Sequence, residues 1–205
     1  MSALGLDTAN ASQGLDPVPA GFVVELVMTI KAGNTGIDGL CKRSSKGDSE
    51  GLDTVYIVKG GTYDGRKIYA YHLIDGVTAG HQKAGEITRS LLRAIYEAKN
   101  GIDPNDNSPE AISRRASASL ADFHGATFLA ELGIERGGQK PDGGSWPDKN
   151  VISKVLRVGD KGYKKLDQPP PAPIERSTPP AATASRTNGA PAVTPTAIAK
   201  PDWAK

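Results

Sequence analysis

The stretch Val55-Tyr56-Ile57-Val58-Lys59-Gly60-Gly61-Thr62-Tyr63-Asp64-Gly65-Arg66-Lys67-Ile68-Tyr69-Ala70-Tyr71-His72-Leu73 reads as two strands around a turn. Gly60 and Gly61 can adopt positive φ, and Asp64-Gly65 is a turn signal. Four of the six tyrosines of the chain fall inside this hairpin, interleaved with Lys59, Arg66 and Lys67. Flat rings and cations on a two-stranded ribbon suit a single-stranded nucleic acid, because rings stack on bases and cations follow phosphates. The competing reading is a half-exposed hairpin whose tyrosines serve only β structure. Along the second strand, Ile68, Ala70, His72 and Ile74 share one face, while Lys67, Tyr69, Tyr71 and Leu73 share the other.

Outward from the hairpin, the same alternation recurs. Phe22, Val24, Leu26, Met28 and Ile30 alternate with Val23, Glu25, Val27, Thr29 and Lys31, which predicts a first strand with a strong inner face. A polar loop over residues 32–51 follows and carries Lys42, Arg43 and Lys46; loops of this length tend to be functional. Asp53–Lys59 and Arg66–Ile74 are the second and third strands. Ala84–Lys99 predicts an amphipathic helix with Ala84, Ile87, Leu91, Ile95 and Ala98 on its buried stripe, closed by Asn100-Gly101. A short helix is expected from Pro109 through Arg115. Ala126, Phe128, Ala130, Leu132 and Ile134 alternate as a fourth strand, and Val151–Val158 is a fifth. A single long helix among five strands argues against a parallel α/β sheet, which needs one crossover helix per strand pair. The expected fold is all-β with one major helix, as a small five-stranded barrel.

Composition sets the borders. From Gln168 onward Pro, Ala, Thr and Ser dominate, too few large apolar groups to offset the entropy of ordering. The expected organisation is a flexible stretch at residues 1–16, one domain over residues 17–167 and a disordered tail over residues 168–205. The chain carries 25 basic and 23 acidic residues, net +2; four of the bases and two of the acids lie in the tail, so the rest is neutral with 21 of each. Any polyanion-binding surface must therefore be local. One cysteine, Cys41, excludes an intrachain disulfide and a thiolate cluster. The absence of a leader-like or bilayer-length apolar run predicts a cytoplasmic protein without membrane contact.

The strand–strand–strand–helix–strand–strand order resembles the OB-fold. Four stretches are similar to a group of phage and prophage OB-fold proteins thought to bind single-stranded DNA. They are Pro19-Ala20-Gly21-Phe22, Gly61-Thr62-Tyr63-Asp64-Gly65-Arg66-Lys67, Leu120-Ala121-Asp122-Phe123-His124-Gly125 and Asp148-Lys149-Asn150-Val151-Ile152. The resemblance implies that the second and third strands form the binding face. It implies stacking by Tyr56, Tyr69 or Tyr71, phosphate contacts from Arg66, Lys67 and the Lys42-Arg43-Lys46 loop, and a role in DNA replication or recombination. Lys59, at the turn of the same hairpin, joins the expected phosphate contacts. Many single-strand binders end in an acidic tip, whereas this chain ends Lys200-Pro201-Asp202-Trp203-Ala204-Lys205. Trp203 on a Pro-rich tether could dock a replication or recombination partner, and a protein-interaction module built from barrel and tail is the alternative reading.

Other candidates carry less. Arg89 and Arg93 are spaced to pair with Glu86 and Glu97 along the helix. His72, His81, His124 and Cys41 are too scattered for a zinc pattern, and His72 belongs to an inner strand face. Glu97-Ala98-Lys99 has an acid-x-Lys nuclease spacing but lies on a helix. No catalytic set, metal or cofactor is expected.

Overall fold

In the computed structural model, residues 16–169 and Ile174 are described. The expectations for residues 1–15 and for most of the tail, Trp203 included, fall outside them. Six strands and two helices follow in chain order: β1 (Val23–Ile30), β2 (Lys42–Arg43), β3 (Ser49–Lys59), β4 (Lys67–Gly76), α1 (Ala79–Asn100), α2 (Pro109–Ala116), β5 (Thr127–Glu135) and β6 (Lys149–Val155). All strand pairs are antiparallel. The sheet path runs β4–β3–β1–β5–β6, with the short β2 also on β3. No ladder joins β4 to β6, so the sheet is open. Their edges nevertheless approach, and a cleft of about 530 Å³ between them is lined by Arg66, Lys67 and Tyr69 on one side and Asp148, Lys149 and Asn150 on the other.

β2 corrects the expected polar loop. Ser44 N–H donates to Ser49 O at 2.8 Å, and Gly47 takes φ +71° at the bend, so a hairpin extends β3 back to Ser49. Local polarity hid this pairing, since the segment's apolar content is small and its order comes from backbone hydrogen bonds.

Period two separates most of the inner face, but Phe22 and Ile134, at the ends of the expected alternations, are exposed, and Thr127 and Leu129 on the other face of β5 are buried. Leu26 and Met28 of β1, Leu52 and Val58 of β3, Ile68 of β4, and Phe128, Ala130 and Leu132 of β5 are buried in one cluster. α1 covers it with Leu92, Ile95 and Ala98. The helix is rotated from the expected stripe: Ile87 is 64% exposed, and Gly85, Thr88, Leu92 and Ile95 face inward. Gly85 is the cause, since a Cβ there would lie 2.6 Å from Ile74 O; its absence lets α1 sit directly on β4. Thr78 caps the helix by accepting from His81 N–H at 3.1 Å, which starts it a turn and a half earlier than its apolar pattern does.

At the far end, the Gln168 carboxamide pairs with Thr127, accepting from its N–H at 2.8 Å and donating to its C=O at 2.9 Å. Ile174 packs against the core cluster. The described chain thus stays attached to β5 slightly past residue 167.

Candidate nucleic-acid interface

The outer face of β3 and β4 is set by register. Asp53 lies opposite Tyr71, Val55 opposite Tyr69, and Ile57 opposite Lys67. On the other side of β3, Thr29 lies opposite Val55 and Val27 opposite Ile57. Tyr69 and Tyr71 are 60% and 50% exposed, although both are anchored on a paired strand. Two residues along a strand place their side chains about 6.7 Å apart on one face.

Each ring has a defined seat. Tyr71 lies over Gly51, where a Cβ would come within 2.6 Å of the ring carbon Cζ, and its hydroxyl donates to Lys42 O at 3.2 Å. Burial first, then the neighbouring Cys41, Asp53 and Glu50, pushes its phenol pKa up, so the ring stays neutral. Lys31 Nζ stands 5.3 Å from the centroid of the Tyr69 ring and 3.6 Å from Asp53. Lys31 was not among the residues expected here. Its place at the end of β1 was evident, but only the β1–β3–β4 register brings it to Tyr69.

The remaining cations divide. Lys67 and Lys59 are exposed at the turn end of the same hairpin, and Lys42 and Lys46 are exposed on β2 and its bend. Arg43 is already engaged: its guanidinium donates to Glu50 Oε1 at 2.6 Å, and that bond holds the Glu50 carboxyl below its ordinary range despite partial burial. The Arg43 side chain stays 59% exposed, so its expected phosphate contact is shared with an ion pair to Glu50. Arg66 donates to Asp16 O and lies 5.8 Å from the Tyr63 ring, which leaves it beside the cleft but partly occupied.

Tyr56 corrects the expected site. It is 1% exposed, pairs with Ile68 across the ladder, and donates to or accepts from His72 Nε2 at 2.7 Å. Its ring meets Phe128 edge-on at 6.1 Å. It cannot stack on a base without unfolding the core. Parity contained the signal, because Tyr56 shares the even-numbered face with Leu52, Thr54 and Val58. Burial lowers the His72 pKa to about 4, so the imidazole is neutral.

The β5–β6 hairpin holds one more exposed aromatic. Trp146 is 58% exposed, with Lys140 Nζ 4.9 Å from its ring. Lys149 lines the cleft and pairs with Glu135 at 3.1 Å.

The nuclease-spaced acid has a structural setting. Glu97 has no exposed surface and receives Arg93 and Arg115 on Oε1, both at 2.8 Å, and Arg157 on Oε2 at 3.0 Å. Arg93–Glu97 is the helical pair expected from the sequence. His124 Nδ1 accepts from Ile30 N–H at 3.2 Å and closes a loop. Among the described residues no group of three or more acidic, His or Cys side chains is placed to hold a metal ion. Nor is any helix among them long and apolar enough to cross a membrane. Comparison of the chain with family models, curated proteins and solved structures gave no match.

Proposed function

We propose that this chain is a non-enzymatic single-stranded DNA-binding protein of little sequence preference, acting in phage-type replication or recombination. In this reading the open sheet is an OB-type barrel. β1, β3 and β4 supply its first three strands, α1 follows, β5 and β6 complete it, and β4 and β6 converge at the cleft. The observation that carries the proposal is the pair of exposed rings, Tyr69 and Tyr71, held on one strand face with Lys31 and Lys67 beside them. Bases stack on the two rings. Phosphates run between Lys42 and Lys46 at one end and Lys59, Lys67 and Arg66 at the other. Aromatic rings stack on any base, which fits binding with little sequence preference.

Titration of fluorescein-labelled oligo-dT by anisotropy tests this. About five neutralised phosphates give a log–log salt slope of roughly −3.5 for a single strand. Each lost stacking contact costs about 1–3 kcal/mol, so Tyr69→Ala/Tyr71→Ala weakens binding at least about thirtyfold. Salt-independent affinity, or a double variant that binds as the wild type does, rules the proposal out.

A further inference from the structure

On the helical side of the sheet, a trough of about 420 Å³ opens between α1, α2 and the 3-10 turn Leu120–Phe123. Its floor is apolar: Ile74 from β4, Leu92 and Tyr96 from α1, and Leu120 and Phe123 from the turn. Three arginines, Arg89, Arg93 and Arg115, are the charged groups among its lining residues, and no carboxylate lines it. Tyr69 and Tyr71 belong to the outer face of β4, whereas Ile74 belongs to its inner face, so this trough is separate from the proposed DNA surface.

The arginines differ in how fully they are used. Arg115 is the most fully engaged, with Nε on Glu97, Nη1 on Asp106 O and Nη2 on Asp103 O, and forms a fixed wall. Arg93 spends Nε on Glu97 and touches Pro104 O through Nη2 at 3.4 Å. Arg89 makes one bond, from Nη1 to Ile74 O at 3.2 Å. Both Arg89 and Arg93 are exposed, one helical turn apart, with N–H groups unspent among the described residues. The neighbouring acids Asp103, Asp106 and Asp122 accept from the N–H groups of Asn105, Ser108 and Ser119, and of these Asp106 also feels the charge of Arg115. Glu97 is one carboxylate facing three guanidinium groups, and it leaves a positive surplus under the rim. Glu86 is the exposed acid on the preceding turn of α1.

We infer that this trough docks a short acidic peptide of a partner protein, with one or two large apolar side chains on the floor and carboxylates on Arg89 and Arg93. An apolar floor with several spread cations matches a ligand bearing several carboxylates around an apolar anchor. A nucleic-acid strand fits less well, since the two rings of the floor, Tyr96 and Phe123, lie against each other with centroids 6.2 Å apart and neither is exposed for a base to stack on.

The probe is a fluorescein-labelled synthetic peptide of Asp and Glu residues flanking a central Leu-Phe pair, titrated with the full chain. The expected result is saturable binding that weakens about tenfold or more with Arg89→Glu and less with Arg89→Gln. It should also fall when the carboxylates are replaced by amides or the Leu-Phe pair by glycines. Saturating oligo-dT should leave peptide binding unchanged, and Tyr69→Ala/Tyr71→Ala should not affect it. Binding indifferent to Arg89→Glu in a variant with wild-type circular dichroism overturns the inference. So does equal binding of the amide peptide. Displacement of the peptide by oligo-dT, together with weaker oligo-dT binding by Arg89→Glu, overturns it in favour of a second nucleic-acid surface.

Discussion

Replacing Glu97 by alanine tests the tertiary logic most directly. The carboxylate is wholly buried, and it joins α1 to the α2 arginine and to the segment after β6. Its three partners are not equivalent. The Arg93 side chain is 52% exposed and returns to water when the acid is lost, so that pair falls in the surface range of about 0–1 kcal/mol. Arg115, 12% exposed, keeps its two backbone carbonyls but loses its counter-charge. Arg157, 34% exposed, has a buried Nε with no partner among the described residues and loses its carboxylate bond as well. Charge-assisted bonds of this kind are worth about 1.5–3 kcal/mol each. The expected cost is therefore roughly 4 kcal/mol, in line with breaking a buried ion pair from one side. Against a domain stability of about 5–15 kcal/mol, that is a large fraction.

Urea unfolding followed by circular dichroism measures it. The effect has a pH signature. Burial alone would raise the Glu97 pKa, but the arginines outweigh it and hold the carboxyl below its ordinary value of 4.5. Its contribution is complete above that value and disappears as pH falls through the depressed folded value, so the wild-type and Glu97→Gln curves converge in acid. A loss below about 1 kcal/mol for Glu97→Ala at neutral pH refutes the reasoning, because buried cations would then be tolerating the missing charge.

Two further perturbations address the sheet. Gly51→Ala puts a methyl group within 2.6 Å of the Tyr71 ring and 2.7 Å of His72 O, so Tyr71 must leave its seat; oligo-dT affinity should fall as far as in Tyr71→Ala, and wild-type affinity would show that the seat is unimportant. His72 is neutral in the fold, with a pKa of about 4 against 6.5 when unfolded, so the unfolded chain binds the extra proton between these values. Stability should decrease as pH falls from 7.5 to 5, by roughly 2 kcal/mol from this group, and His72→Leu should flatten that part of the profile; an unchanged difference between the two urea midpoints speaks against it.

Strand identity was readable because a half-buried strand must alternate. The inner face of β1 and the division of β4 into Ile68/Ala70/His72 and Lys67/Tyr69/Tyr71 follow from that constraint alone, whereas β5 is buried on both faces at its start and exposes Ile134 at its end. The same rule, carried one strand back, would have placed Tyr56 inside, but the presence of four tyrosines in one hairpin suggested a shared role. α1 was found by its period and misjudged in rotation, because the close approach at Gly85 depends on which strand the helix meets. The Lys42-Arg43 segment read as loop because its order comes from a backbone ladder that leaves little apolar signature.

By itself, then, the sequence determined five of the six strands, the main helix, the local character of any positive surface and the outward placement of Tyr69 and Tyr71. These follow from hydrophobic periodicity and charge count, which are properties of neighbouring residues along the chain. Tertiary structure alone decided that Lys31 stands over Tyr69, that Arg43 pairs with Glu50, and that Arg93, Arg115 and Arg157 meet on one buried carboxylate. Those contacts join residues up to 60 positions apart. Strand register and helix seating, set by packing the whole core, bring them together; no local pattern encodes them.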